Sequence, residues 1–175
     1  MDKFVETVFL LGGNVGDSAE LCRQAVELIE KQIGKTTRVS SLYGSEAWGF
    51  SAEQHFVNQA VAVSTDLSPT LVLEKALEIE AQLGRKRSGK GYSSRTMDID
   101  VIFYGSEIID TPRLTVPHPR LHLRNFVLVP LCGIIPDFVH PVFGKTIRQL
   151  LDECPDEGKV WKIEQSLPLN ENTDN

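Results

Sequence analysis

Two aspartates separated by one residue stand at the head of an apolar strand, in the stretch RTMDIDVIFY. A period of two predicts that Ile99, Val101 and Phe103 face one side of this strand. Asp98 and Asp100 then face the other side, about 7 Å apart, where like charges favour a shared cation. Mg²⁺ commonly uses one or two carboxylates together with substrate phosphates. The pair therefore predicts a divalent-metal site that works on a phosphorylated ligand.

A cationic, glycine-bearing segment lies directly upstream, at residues 85–95 (RKRSGKGYSSR). The whole chain carries a net charge of −6, which argues against a general nucleic-acid binder because such proteins need abundant Lys and Arg. The basic segment thus indicates a local anion site. An acidic metal site beside it suits a polyphosphate.

The bulk properties are those of an ordinary soluble globular protein. A chain of 175 residues is long enough for one domain, expected over residues 1–163, with a polar tail at 164–175. The three cysteines are odd in number and far apart, which favours reduced thiols and a cytoplasmic location. We find no signal-peptide pattern and no run of about 20 apolar residues, so no membrane partner is expected.

The predicted elements run strand, helix, strand, strand, helix, strand. Their ranges are 4–11, 19–33, 36–43, 56–64, a helix from Ser68-Pro69 to Gly84, and the acidic strand. This order predicts an α/β (α+β) ferredoxin-like sandwich, with a βαββαβ core and a mostly antiparallel sheet. Further along, we expect a short strand at 108–109, a helix at 126–131 that stops near Gly133, and a helix at 146–151.

Several residues have two interpretations from local pattern alone. Gly12-Gly13-Asn14 is either a close backbone approach to a ligand or a plain strand-to-helix connection, since it lacks GxxxxGK[ST] and GxGxxG. Trp48 is either a lid on the core or a ligand contact. Phe56 and Asn58 on one strand face could hold a flat heterocycle or form a core pair.

The second helix presents a similar choice. Its expected buried side consists of Leu73, Ala76, Leu77 and Leu83. Glu80 lies at the margin of that stripe and is either a solvated edge residue or a group that reaches the site.

More cationic donors follow the acidic strand, namely Arg113, His118 and Arg124. Each alone is typical of a solvated surface residue. His118 and His122 are four residues apart, but Pro119 disfavours the helix that would pair them, so a zinc site is disfavoured.

Together these segments resemble the 6-hydroxymethyl-7,8-dihydropterin pyrophosphokinase family of folate biosynthesis. The resemblance rests on the segments GGN, FVN, RKR, RTMDID and RLTVPH, and matching positions extend from about 7 to 151. The combination RTxDxD with RLxxPH is highly specific. The family's fold is the same ferredoxin-like sandwich.

The resemblance implies a diphosphotransferase that moves pyrophosphate from the co-substrate ATP to the pterin's 6-hydroxymethyl oxygen and releases AMP. By matching position, two Mg²⁺ ions are expected on Asp98 and Asp100. The implied catalytic residues are Arg85, Arg95, Asp98 and Asp100. The implied ATP-binding residues are Glu80, Arg87, Val101, Arg113, Thr115, His118 and Arg124. The implied pterin-binding residues are Ser45, Ala47, Trp48, Phe56, Asn58, Tyr92, Asp98 and Phe126.

Four positions depart from the commoner family pattern. Tyr92 stands where many members have Trp, which preserves a ring over the pterin. Ser88 replaces a frequent basic residue, Pro119 a frequent Tyr, and Leu77 a frequent polar residue. We expect the changes at Ser88 and Pro119 to bear on ATP affinity rather than on the reaction, and Leu77 stands at a position that often meets the nucleotide in the family.

Two other function classes remain as alternatives. A non-catalytic ferredoxin-like module would bind a small ligand on the same fold, but has no need of paired aspartates beside an arginine-rich segment. A metal-dependent sugar-nucleotide transferase also uses an Asp-x-Asp pair, but normally on a larger nucleotide domain. The favoured interpretation is a monomeric enzyme whose partners are ATP and the pterin.

Overall fold

A computed structural model of the chain describes residues 3–13, 18–46, 55–84 and 97–164. Their strands and helices are β1 (Val5–Gly13), α1 (Ser18–Gln32), β2 (Lys35–Val39), β3 (Tyr43–Glu46), β4 (His55–Thr65), α2 (Pro69–Gly84), β5 (Asp98–Tyr104), β6 (Ile109–Asp110), β7 (Thr115–Val116), α3 (Asn125–Ile134), α4 (Ile147–Asp152) and β8 (Val160–Lys162). None of these helices combines the length and the apolar run required to cross a bilayer.

The main sheet is antiparallel and has the order β5-β1-β4-β3-β8, with β2 also paired to β4. Helix α1 joins β1 to β2 across the intervening β4, and α2 joins β4 to β5 across the intervening β1. These two split βαβ units make the ferredoxin-like sandwich that the element order predicts. The fold prediction is confirmed.

Helices cover both faces of this sheet. On one face, the buried side chains of α1 and α2 include Ala25, Ile29, Val72, Ala76 and Ile79. On the other face, α3 and α4 contribute a second buried cluster that includes Leu128, Leu131, Ile147 and Leu150. A strand covered on both faces buries side chains on both, which explains the continuous apolar run from Val8 to Leu11 in β1.

A β-bulge changes the alternation predicted for β5. Val8 pairs with Phe103 and Phe9 pairs with Val101, so Ile102 is an extra residue without a partner in the β1 register. The bulge moves Phe103 to the α3 face, whereas Ile99 and Val101 lie on the α1/α2 face. The prediction that Phe103 shares their side is therefore wrong, because one inserted residue reverses the faces beyond it.

The predicted strand 36–43 is two strands, and the predicted loop at 44 begins as strand β3. Both strands pair with β4. Val39 lies opposite Val61 and Tyr43 opposite Asn58, so the five residues 39–43 face only four residues of β4 and one residue is extra. Ser40 occupies this break, where its Oγ accepts the Ala60 N–H at 2.9 Å. A side chain that satisfies a ladder donor allows the strand to bend there.

Smaller corrections concern element ends. Strand β1 extends through Gly13 because β4 continues to pair with it. Helix α3 continues through Gly133 to Ile134, which packs into the α3 face cluster, so tertiary packing outweighs the low helix propensity of glycine. Leu77 is 48% exposed rather than buried.

Other end signals are confirmed. The Ser68 hydroxyl accepts the Leu71 N–H at the start of α2, as expected of an N-cap residue. Helix α4 begins after Thr146, which forms a reciprocal capping box with Gln149. The predicted short strand at 108–109 lies one residue later as β6, paired with β7.

Candidate active site

A cavity of about 630 Å³ opens on the α3 face of the sheet. Its lining residues come from β1, β3, β4, β5, the chain just before α3, the start of α3 and the chain after α4: Gly12, Gly13, Ser45, Glu46, Phe56, Asn58, Asp98, Asp100, Arg120, Leu123, Arg124, Phe126 and Asp156. The folded chain thus brings together seven of the predicted site residues: Ser45, Phe56, Asn58, Asp98, Asp100, Arg124 and Phe126.

Strand β5 supplies the acidic side of the cavity. Ile99 is buried in the core, while Asp98 is half-buried, Asp100 is exposed, and both line the cavity. The predicted alternation is therefore confirmed for this part of the strand. Asp98 lies opposite Gly12 and Asp100 opposite Leu10 in the β1 ladder, which fixes the main chain of both residues in the sheet.

Glu80 reaches this strand from α2. Its Oε1 accepts the main-chain N–H of Ile99, the residue between the two aspartates, at 2.6 Å. A charge-assisted hydrogen bond of this kind is among the stronger ones in proteins. Glu80 is half-buried and bonds the acidic strand from the opposite face, but it is not among the residues that line the cavity. Its implied contact with ATP stays a prediction.

Strands β3 and β4 supply a polar and aromatic wall. Phe56 and Ser45 are register partners, and Asn58 is only 6% exposed. The Asn58 amide donates to the Leu11 carbonyl at 3.5 Å and accepts the Ser45 hydroxyl at 3.4 Å, both long hydrogen bonds. A Cβ at Gly12 would lie 2.8 Å from the Asn58 Nδ2, so glycine there gives this amide its space.

The opposite wall is the first turn of α3. Phe126 is the second residue of this helix, and Arg124 is the residue just before the helix. Both line the cavity, with the Arg124 guanidinium carbon 5.6 Å from the centre of the Phe126 ring. A cation and an aromatic ring side by side suit a flat ligand that carries phosphates.

His118 lies next to this cationic wall rather than among the residues that line the cavity. Its main-chain N–H donates to the Ile102 carbonyl at 3.0 Å, and its Nδ1 accepts the Arg120 N–H at 3.3 Å. Burial, followed by the nearby charges of Arg124 and Arg120, lowers the pKa of His118 below its usual value. The ring is thus a neutral neighbour of the basic groups at neutral pH.

Other predicted ATP-side residues lie outside the cavity lining. Arg113 is exposed and pairs with Glu74 of α2 at 3.8 Å. Thr115 is half-buried in β7. Val101 is 6% exposed and its side chain packs in the core, so a contact with ATP would have to use its main chain.

Several predicted site residues lie outside the described residues. These are Ala47, Trp48, Arg85, Arg87, Tyr92 and Arg95, and Ser88, noted as a departure from the family pattern, lies outside them too. Their implied roles stay predictions.

Sequence reasoning missed four lining residues: Glu46, Arg120, Leu123 and Asp156. Arg120 is two residues beyond the predicted His118, and it belongs to the same group of cationic residues after the acidic strand. Asp156 had no signal, because its place in the wall depends on the chain returning to α3 some 30 residues later.

The acidic pair fits Mg²⁺ but does not form a complete metal cage. Within the described ranges, no group of three or more His, Cys, Asp or Glu side chains could hold a metal ion. Two carboxylates with room beside them match the way Mg²⁺ binds, through few protein ligands and several phosphate or water oxygens. The donor set is hard and all-oxygen, which disfavours zinc.

Comparison with known proteins identifies the family. The sequence profile of the 7,8-dihydro-6-hydroxymethylpterin-pyrophosphokinase family matches residues 8–136. The chain belongs to this family. The resemblance seen in the motifs is therefore confirmed.

Two relatives carry the corresponding enzyme name, 2-amino-4-hydroxy-6-hydroxymethyldihydropteridine pyrophosphokinase. The protein from Synechocystis sp. is 40% identical over 160 residues, which cover 91% of this chain and 80% of the relative. The protein from Aquifex aeolicus is 37% identical over 148 residues, which cover 84% of this chain and 91% of the relative.

Solved structures agree on the fold. Wild-type HPPK-DHPS from Plasmodium falciparum superposes with a TM-score of 0.68 at 18% identity, over 87% of this chain and 45% of that chain. The same protein with pterin and p-hydroxybenzoate superposes with a TM-score of 0.69 at 18% identity, over 87% of this chain and 43% of that chain. This chain therefore spans less than half the length of those solved chains, and the match supports the fold alone.

Proposed function

We propose that this protein transfers pyrophosphate from ATP to 6-hydroxymethyl-7,8-dihydropterin, giving the pterin diphosphate and AMP in folate biosynthesis. One observation carries the proposal: a single cavity joins a carboxylate pair to an aromatic and amide wall. A metal-phosphate end and a flat-heterocycle end in one space match the two substrates. A binding module for a small ligand would have no use for the acidic end.

The pterin ring would enter the aromatic side of the cavity. Phe56 and Phe126 would lie against its faces, since stacked aromatic rings recognise flat heterocycles. Asn58 and Ser45 would bind its polar edge, because an amide can both donate to and accept from a pterin. The long hydrogen bonds that Asn58 makes in the protein support this role.

Asp98 and Asp100 would hold two Mg²⁺ ions. When bound, such ions neutralise phosphate charge and align the phosphate chain with the attacking oxygen. Asp98, which is the more buried of the pair, would also orient the hydroxymethyl group of the pterin. Arg124 and the newly found Arg120 would stabilise negative charge on the phosphates.

The reaction joins the pterin hydroxymethyl oxygen to the β-phosphorus of ATP and breaks the bond from that phosphorus to the oxygen bridging to the α-phosphate. The bridging oxygen leaves with AMP, and the hydroxyl proton is lost from the attacking oxygen. Positioning and charge stabilisation are the main demands of such a transfer. A carboxylate pair held in one strand register and two aromatic rings in the walls of the same cavity meet those demands.

Further roles in this proposal depend on the family motifs. Arg85 and Arg95 would act on the transferring group, Arg87, Arg113, Thr115 and His118 would contact ATP, and Tyr92, Ala47 and Trp48 would contact the pterin. Glu80 and the main chain of Val101 would contribute on the ATP side. We also propose a cytoplasmic monomer with one catalytic domain over residues 1–163 and a polar tail beyond it.

The test is a reaction with 6-hydroxymethyl-7,8-dihydropterin, ATP and Mg²⁺, in which AMP and ADP are followed separately. AMP that forms only when pterin and metal are both present is the expected result. ADP in place of AMP would contradict pyrophosphate transfer and indicate transfer of one phosphate. Folded protein that turns over no nucleotide would favour the binding module.

A further inference from the structure

The chain after α4 contacts two separate walls of the cavity, although the family profile ends at residue 136. We call residues 156–162 the C-terminal brace. One end of the brace contacts the start of α3, and its other end is strand β8. The two walls it joins are those between which a flat ring would enter.

Asp156 fixes the first end. Its Oδ2 accepts the Asn125 N–H at 3.0 Å, and its Oδ1 accepts the Gly158 N–H at 2.8 Å. In return, the Asn125 side-chain amide donates to the main-chain carbonyls of Asp156 at 2.6 Å and Gly158 at 3.3 Å. Three hydrogen bonds therefore connect the brace to the start of α3, and a fourth, within the brace, holds the Asp156 carboxylate.

This contact replaces a missing local cap. Arg124 occupies the N-cap position of α3 and makes no side-chain cap hydrogen bond. Helix N-termini leave main-chain N–H groups without helical partners and attract negative charge. The carboxylate of Asp156 supplies the acceptor from 31 residues away, at the turn that carries Phe126.

Strand β8 fixes the second end. It pairs with β3, so Val160 lies opposite Ser45 and Trp161 opposite Gly44. Trp161 covers Gly44, where a Cβ would lie 2.5 Å from its ring. The same ring meets His55 of β4 edge-on at 4.9 Å, so the brace is held to the strands that carry Ser45 and Phe56.

We propose that the C-terminal brace sets the width of the pterin slot, and that Asp156 is a positioning residue that acts through Phe126. The inference rests on the proposed function, which places the pterin against Phe126. Asp156 lines the cavity, but both of its oxygens already accept main-chain N–H groups. Its role is to hold the ring wall rather than to take part in the transfer.

The experiment compares Asp156→Ala and Asp156→Asn with the control Asp152→Asn, which removes one charge at an exposed position of α4, outside the brace. The dissociation constant of 6-hydroxymethyl-7,8-dihydropterin is measured by fluorescence with Mg²⁺ and a non-hydrolysable ATP analogue present. Thermal unfolding identifies folded variants, and Asp156→Asn, which keeps the shape of the side chain, decides the test if Asp156→Ala does not fold.

From the usual cost of losing a cap, we expect about tenfold weaker pterin binding in Asp156→Ala, with the KM for ATP changed less than about twofold. Asp156→Asn should weaken pterin binding less, and Asp152→Asn should bind pterin as tightly as the parent. Unchanged pterin affinity in both Asp156 variants would overturn the inference. Equal losses for pterin and ATP would also overturn it, because they indicate a general loss of structure.

A double-mutant cycle with Phe126→Ala tests the route of the effect. If Asp156 acts through Phe126, removing Asp156 should cost less than about twofold in pterin affinity once the ring is absent. If the losses in pterin affinity from the Asp156 and Phe126 substitutions simply add, this inference is overturned while the proposed function stands. A Phe126→Ala variant with unchanged pterin affinity would overturn both the inference and the proposed pterin site.

Discussion

The acidic side and the aromatic side of the cavity are built in different ways. Asp98 and Asp100 are two residues apart on β5, and a single strand register with one anchor from Glu80 places both. The aromatic side draws on β3, β4, α3 and the C-terminal brace, which are distant in sequence and meet only when the chain folds, through strand pairing and hydrogen bonds. One strand therefore carries the whole acidic side, whereas the aromatic side is assembled from four separate segments of the fold.

The largest expected effect separates the two sides by function. Asp98→Ala or Asp100→Ala should lower AMP formation about a thousandfold, because phosphate charge would lose its carboxylate-held counter-ions. Because the aromatic wall is untouched, pterin affinity should change far less, apart from a modest loss in Asp98→Ala. Turnover is measured as AMP formed, and pterin binding by fluorescence.

Asp66→Ala serves as the control, since Asp66 is an exposed aspartate beyond the end of β4. All three variants should unfold at nearly the temperature of the parent. Substantial turnover by both site variants would contradict the assignment of metal to this pair.

A change on the aromatic side should have the opposite profile. Phe126→Ala and Phe56→Ala should each weaken pterin affinity about 10- to 100-fold, the range expected when one stacking partner of a flat base is removed. The KM for ATP should change little. Phe4→Ala, which alters a 61% exposed ring outside the sheet, is the control, and a pterin affinity equal to that of the parent in both site variants would refute the stacking roles.

The contrast also explains what the sequence could predict. The period of two around Asp98 and Ile99 is local, so it places the acidic pair on the correct face. The bulge at Ile102 and the break at Ser40 are not visible in that pattern, because each depends on how a neighbouring strand is paired. The order of elements still predicts the fold, since one bulge does not change which strands the two helices connect.

The aromatic side was accessible mainly through the family resemblance. Nothing local distinguishes Phe56 from a core residue, and nothing in the segment CPDEG indicates that Asp156 returns to the start of α3. Contacts of this kind come from tertiary packing. Leu77, expected in the core and found 48% exposed, is the converse case, because Val72, Ala76 and Ile79 form the buried stripe of α2 instead.

Glu80 tests whether the acidic side depends on more than its own strand. Glu80→Ala should lower kcat about tenfold, because the Ile99 N–H loses a charged acceptor between the two aspartates. Glu80→Gln retains an acceptor oxygen, so its kcat should fall less. The kinetic constants are measured by AMP formation, with Glu78→Ala as a control on the exposed side of the same helix.

The division between kcat and KM determines the role of Glu80. A lower kcat with an unchanged KM for pterin supports an anchor for the acidic side. An effect confined to the KM for ATP would instead support direct nucleotide contact and contradict the anchoring role. Weaker pterin binding would contradict the separation of the two sides.

The smallest expected effect concerns a residue that belongs to neither side. His140 is 3% exposed, stacks on Phe143 at 4.3 Å and meets Phe103 edge-on at 5.8 Å. Burial, followed by the charge of His122, lowers the pKa of His140 to about 4. The hydrogen bonds agree with a neutral ring, since its Nδ1 accepts the N–H groups of Val142 and Phe143, both at 3.1 Å.

This pKa has a definite consequence for stability. In the unfolded chain a histidine titrates near pH 6.5, so between about pH 6.5 and 4 the unfolded state binds the additional proton. The contribution of His140 is therefore complete above that window and is lost as the pH falls through it. In urea unfolding, the stability difference between the parent and His140→Gln should shrink from pH 7 to pH 4, while His55→Gln, on β4, serves as the control.

Parallel curves of stability against pH for the parent and His140→Gln would contradict this account. Because His140 lines neither the acidic nor the aromatic side, the pterin affinity of folded His140→Gln at pH 7 should equal that of the parent.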